Sequence, residues 1–186
     1  MSVDRLRKEY HVEVRWIAFP LHPETPEEGL TLEELFAGRP VDIPQMLGRL
    51  KEVAQELGLP LGSRERTYNS RLAQELGKWA EGKGVGDAFH DAVFRAYFAD
   101  GKNIAHIPVL AELAASVGLP GDEARTVLEA RAFRETVDQD WKRSRIIGVT
   151  AVPTFVMGRR GVVGAQPYEV LEELVRGQGA GRRDAS

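Results

Sequence analysis

Strand-forming and helix-forming segments are far out of proportion in this chain, and that imbalance constrains its fold more than any other feature. Only three segments read as strand. Residues 11–19 alternate Val12, Val14 and Trp16 with Glu13 and Arg15, and Pro20 ends the run because proline cannot donate to a ladder. Residues 152–157 form a second run that opens on Pro153, and Val162-Val163 form a third after the turn Gly158-Arg159-Arg160-Gly161. The last two imply a hairpin with a four-residue loop. Helical patterns fill the rest. Thr31-Leu32-Glu33-Glu34 has capping-box spacing, and Asp42-Ile43-Pro44 opens a helix that Gly58 stops. Further helices carry Leu72, Leu76 and Trp79; Phe89, Val93, Phe94, Tyr97 and Phe98; Val109, Leu110 and Leu113; and Val170, Leu171 and Leu174. The order is partial helix, strand, helical block, hairpin, helix. An α/β protein with a large helical insertion at about 31–146 fits, but three strands make a thin sheet for so many helices.

At 186 residues and 42% hydrophobic, the chain suits one domain, here 1–176, with a Gly- and Arg-rich flexible tail over 177–186. A net charge of -3 gives no basic excess for nucleic acid. Nothing approaches the roughly 18 apolar residues of a membrane span, and Met1 to Tyr10 has no signal-type apolar stretch, so a cytoplasmic protein is expected. There is no cysteine, which excludes disulfides, Cys-ligated metals and a thiol nucleophile.

Gly148-Val149-Thr150-Ala151-Val152-Pro153-Thr154-Phe155-Val156 resembles the Gly-Val-x-x-Val-Pro-x-Phe-Val signature of the DsbA-like branch of the thioredoxin superfamily. Gly164-Ala165-Gln166-Pro167, the run from Arg66 to Ala73, and Trp16-Ile17-Ala18-Phe19-Pro20-Leu21-His22-Pro23 are similar to segments of its FrnE-type members. The 2-hydroxychromene-2-carboxylate isomerases and kappa-class glutathione transferases are more distant relatives. The resemblance implies a thioredoxin-like sheet with a helical lid and a cis Val-Pro bond. Pro153 would be that proline, and Val152 would present its backbone to an extended thiol or peptide substrate. A strand-start proline with a trans bond is the plainer reading of Pro153. The family's first strand and its C-x-x-C motif have no counterpart. In the fold that strand lies mid-sheet, and each buried polar group that lost its partner would cost about 1–3 kcal/mol against a domain stability of ~5–15 kcal/mol. Three explanations stand: a misassigned start with the motif upstream, which is preferred; closure of the gap within the chain or across a homodimer edge; or a degenerate, binding-only member.

Candidate substrate-binding residues follow from the resemblance: Val152, Pro153, Gln166, Tyr68 and Asn69. Gln166 stands before the last helix, whose N-terminus can hold a carboxylate, although simple capping with Pro167 at N1 explains it too. Asn69 reads equally as a helix cap. Phe89, Phe94, Tyr97 and Phe98 of the aromatic helix line a hydrophobic substrate groove or, on the simpler reading, pack a lid onto the core. His11, His22, His90 and His106 are scattered, so no metal site is expected, and Asp138 and Asp140 fall on different sides of a helix. No catalytic residue is assigned. Thiol–disulfide exchange needs a thiolate, which three methionines cannot replace. The expected function is a DsbA/FrnE-like oxidoreductase scaffold that is redox-inactive as it stands and takes thiol, disulfide or small-molecule substrates. A glutathione-dependent isomerase or transferase, with glutathione as its cofactor, and a non-catalytic scaffold are the alternatives.

Overall fold

A computed structural model describes residues 2–63 and 65–183. The chain divides into two compact units, residues 1–21 with 140–186 and residues 22–139.

The first unit contains α1 (Ser2–Glu9), the hairpin β3 (Thr154–Met157) and β4 (Arg160–Val163), and α9 (Tyr168–Arg176). Leu6 and Tyr10 from the α1 end meet Tyr168, Leu171 and Val175 of α9, and the hairpin adds Phe155, Met157 and Val162 to this core. Burying each large aliphatic side chain contributes roughly 1.5–3 kcal/mol. The α9 pattern explains the packing, since 168, 171 and 175 recur at helical spacing on one face. Strand alternation then sends Val156 and Val163 to the opposite face, where both are exposed. Only Gly158-Arg159 separate the strands, so the loop has two residues rather than the expected four. Arg160 and Gly161 pair with Met157 and Val156. Gly158 supplies the positive φ of 59° such a tight turn needs, and a Cβ there would lie 2.2 Å from Gln178 Oε1.

The expected strand at 11–19 does not form. Residues 12–20 carry no ladder, and a single antiparallel bridge joins Tyr10 to Arg182. The alternation survives as burial only over residues 12–15, with Val12 and Val14 half-buried and Glu13 and Arg15 exposed, and it ends at Trp16, which is exposed. Period-2 patterning chooses a face, but a ladder needs a neighbour, and none is present among the described residues. Side chains replace part of it. The Ala18 amide donates to Asp140 Oδ2 at 3.0 Å, and Ser144 Oγ donates to the Ala18 carbonyl at 3.5 Å. Part of the tail is hydrogen-bonded to the N-terminal segment: His11 N–H donates to the Gly181 carbonyl, and Arg183 N–H donates to that of Glu9. The expectation for 184–186, and any concerning Met1, lies outside the described residues.

The second unit is helical: α2 (Leu32–Leu35), α3 (Ile43–Glu56), α4 (Arg71–Gly82), α5 (Gly86–Phe98), α6 (Ile107–Ser116) and α7 (Gly121–Glu129), followed by the start of α8 (Arg134–Ile146). Its core joins Leu76, Trp79, Phe89, Leu110, Ala114 and Leu128. The caps follow the sequence. Thr31 and Glu34 form a reciprocal capping box, and Asp42 accepts from the Gln45 amide at 2.9 Å. A two-residue ladder not expected from sequence, β1 (Leu30–Thr31) with β2 (Arg66–Thr67), closes the unit's edge. Gly29 permits it. At φ 77° its missing Cβ would stand 2.4 Å from the Thr67 carbonyl oxygen and 2.5 Å from the Tyr68 ring. The aromatic helix α5 divides its faces: Phe89 is fully buried, while His90, Phe94 and Phe98 stack at 6.3 and 6.1 Å with Phe94 half-exposed.

Candidate functional site

The Val152–Pro153 bond is cis, and both residues are exposed, Val152 to 45%. The local chain is held by three short hydrogen bonds. Thr154 Oγ1 donates to the Ala151 carbonyl at 2.6 Å, Gly164 N–H to the Pro153 carbonyl at 2.7 Å, and Gln166 Nε2 to the Val163 carbonyl at 2.6 Å. Pro153 and Gln166 are therefore braced on the same hairpin. Gln166 spends its amide donor on that brace. The N-cap of α9 is Pro167 itself, with helical geometry starting at Tyr168, one residue later than the N1 proline of the sequence reading.

Tyr68 and Asn69 belong to the helical unit. Tyr68 packs edge-on against Tyr97, with ring centroids 6.4 Å apart. Asn69 is a strut. Its Oδ1 accepts from the Arg71 amide at 2.9 Å, and its Nδ2 donates to the carbonyls of Pro23 and Thr25 at 3.2 and 2.7 Å. It thus ties the 23–25 loop to the start of α4, while the N-cap position proper is Ser70.

Two charge networks went unnoticed in the sequence. Glu75 on α4 is 1% exposed and accepts from Arg71 Nε at 2.6 Å and from Arg131 Nε and Nη2 at 2.8 and 2.7 Å. Arg71 also pairs with Asp138 at 2.8 Å. Burial opposes the Glu75 charge, but the two guanidiniums outweigh it and hold its carboxyl below the usual range. A signal existed: Glu75 lies within the apolar stripe of Leu72, Leu76 and Trp79, with Arg71 one turn before it. In the first unit, Glu9 accepts from Arg5 at 2.6 Å, Tyr168 at 2.8 Å and Arg182 at 3.0 Å, which lowers its pKa to about 2. Burial, then the bond to Glu9, pushes Tyr168 up to about 12. Tyr10, Glu172, Arg176 and Arg182 line an open recess beside this network. Both networks join distant chain segments and serve architecture. Among the described residues no three His, Cys, Asp or Glu side chains cluster as a metal site, and no helix is long and apolar enough to cross a membrane.

Comparison with known proteins gives this geometry its context. The DSBA-like thioredoxin domain matches residues 1–176. A structure described as a probable DsbA oxidoreductase from Streptomyces coelicolor is 31% identical, with a TM-score of 0.81 over 91% of this chain and 76% of that one. The structure of a 2-hydroxychromene-2-carboxylate isomerase shares the fold at 21% identity, with a TM-score of 0.73 over 95% of this chain and 85% of its own. The cytosolic disulfide reductase DsbM from Pseudomonas aeruginosa, solved with GSH, is 25% identical, with a TM-score of 0.53 over 72% of this chain and 70% of that one.

Proposed function

The chain belongs to the DSBA-like thioredoxin domain family, a thiol–disulfide oxidoreductase scaffold, and on that premise we propose that it binds thiol or disulfide substrates at the Val152–Pro153 turn without exchanging disulfides itself. One combination carries this reading: an exposed turn of the family's signature in a chain with no cysteine. Exchange proceeds by attack of a thiolate on a disulfide sulfur, forming one S–S bond as the other breaks. Thioether sulfur carries no ionisable proton and cannot take that role. What remains is recognition. Val152 offers backbone polar groups beside a fixed turn, and Gln166 keeps the neighbouring hairpin end in place. The cytosolic naming of the Pseudomonas protein supports a cytoplasmic location for this chain. The test is reduction of insulin by dithiothreitol in the presence of the pure chain. The reading expects the blank rate, and a reproducible acceleration overturns it.

A second reading has one observation in its favour: the Pseudomonas reductase was solved with GSH. Here glutathione would lie along the Val152 backbone with a carboxylate toward the start of α9. Gln166 would have to leave the Val163 carbonyl before it could take part. Calorimetric titration with glutathione should then give measurable heat and slow the exchange of the 152 and 166 amides. No heat and no protection would remove this reading.

A further inference from the structure

Helix α3 carries an amphipathic pattern without a core to match it. Ile43, Met46, Leu47, Leu50, Val53 and Ala54 recur at helical spacing, and Leu57 at the C-cap continues the row. Of these, Ala54 alone is buried. No α3 residue joins either apolar cluster of the chain, and among the described residues the helix packs extensively against no other helix or strand. The row has two sides. Leu47 and Ala54 form one, turned inward at Ala54. Met46, Leu50, Val53 and Leu57 form the other, at the 4-3-4 spacing of a seam between paired helices. Met46 and Leu50 are half-buried, while Val53 is 43% and Leu57 61% exposed. Beside this seam stand Arg49 and Glu56, seven residues apart and so nearly in line along the helix. Both are exposed, and among the described residues neither side chain makes a hydrogen bond or ion pair.

We propose that this seam takes a second copy of the chain, α3 against α3 and antiparallel. Charge selects that occupant. A helix built to lie on lipid carries an excess of Lys and Arg on its polar face, whereas Arg49 and Lys51 are cancelled here by Glu52 and Glu56. A convex helix face offers no concave pocket to a small molecule. Arg49 and Glu56 share one heptad position on one flank of the seam. The two-fold axis of an antiparallel pair brings that flank against itself with its direction reversed. Arg49 then faces Glu56 of the second copy, and Glu56 faces its Arg49. In the same register Leu50 packs on Val53 of the second copy, and Met46 on its Leu57. A parallel pair would set that flank against the Leu47 and Ala54 side and leave both charges unmatched. Arg49 and Glu56 give up no internal ion pair when the copies dock, so their complementarity acts in full on partner choice and register. The helix is about four turns long, which makes the interface smaller than the standard of about 1,600 Å². The dimer is therefore reversible, with dissociation in the micromolar range. This face is distinct from the sheet edge, and the inference does not depend on the reading of the Val152–Pro153 turn.

The test is sedimentation velocity of the full chain across the micromolar range, with the amides of 46–57 followed by NMR over the same dilution. The mass should rise from 20.6 kDa toward twice that value, and those amides should shift with concentration. V53K/L57K, which sets charge into the seam at its two most exposed positions, should leave a monomer throughout. R49E and E56R should each weaken the dimer about tenfold, because each turns two attractive pairs into two repulsive ones. The swap R49E/E56R should restore it, since the opposite charges face one another again. Melting temperatures equal to that of the wild type, measured on dilute protein, establish that each variant is folded, and a seam variant that melts early is replaced by V53T/L57T. A chain that stays monomeric over the whole range overturns the proposal. So does a dimer that V53K/L57K leaves intact, which would place the contact elsewhere, the sheet edge included. A dimer that the seam variant abolishes but the swap does not restore overturns the antiparallel register. Binding to phosphatidylserine vesicles without self-association overturns the choice of a second copy.

Discussion

Replacing Glu75 with Gln isolates the buried charge of the helical unit, because it removes the charge at nearly constant volume. Glu75 accepts three hydrogen bonds of 2.6–2.8 Å from two guanidiniums. Gln keeps one acceptor oxygen and turns an NH2 group toward an arginine N–H, so at least one bond is lost and a donor faces a donor. Breaking a buried ion pair from one side costs about 3–5 kcal/mol. Arg131 is 42% exposed and Arg71 keeps Asp138 at 2.8 Å, so water and a second carboxylate absorb part of that cost. The expected loss is therefore at the low end, about 3 kcal/mol, or roughly 6–12 °C in Tm for a chain of this size. The pH dependence fixes the cause. A carboxyl held below its usual pKa adds stability that is present above the usual range and lost as pH falls through the folded value. The gap between wild type and E75Q should thus be full at neutral pH and shrink in acid. Urea unfolding at several pH values measures it. A neutral-pH loss under about 1 kcal/mol, or a gap constant down through the acid range, refutes the reasoning.

Other outcomes follow from single residues. Gly29→Ala should destabilise the helical unit and open the β1–β2 ladder, seen as faster amide exchange at 30–31 and 66–67, because a Cβ at φ 77° has no room. Asn69→Ala should cost about 1–3 kcal/mol by leaving backbone groups of residues 23, 25 and 71 without their partner; unchanged stability would show that the strut is dispensable. The Glu9 carboxyl, followed by carbon-detected NMR, should titrate near about 2, and a midpoint in the ordinary carboxylate range would contradict its three-donor setting.

The helices were legible because each carries its own instructions. Thr31 with Glu34 and Asp42 with Gln45 cap as their spacing requires, and Leu76, Phe89 and Leu110 are buried where periodicity put them. Pairing was less legible. The alternation of Val12 and Val14 with Glu13 and Arg15 specifies a face, although Trp16 leaves it, and a ladder depends on a neighbour that local sequence does not encode. The two-residue β1–β2 ladder is too short to show a period, and its one local signal is Gly29. At the candidate site, the motif around Pro153 located the turn. It could not show that Gln166 braces Val163 or that Asn69 holds the 23–25 loop, because those bonds depend on backbone carbonyls brought close only by folding.

The central claim is that the Val152–Pro153 turn recognises substrate while the chain lacks the sulfur to react with it. An amide-resolved NMR titration of the full chain with a disulfide-bonded peptide tests both halves in one sample. The account predicts saturable shifts centred on 151–154, with the peptide disulfide intact at the end. Silent amides there, or a peptide reduced during the titration, would contradict it.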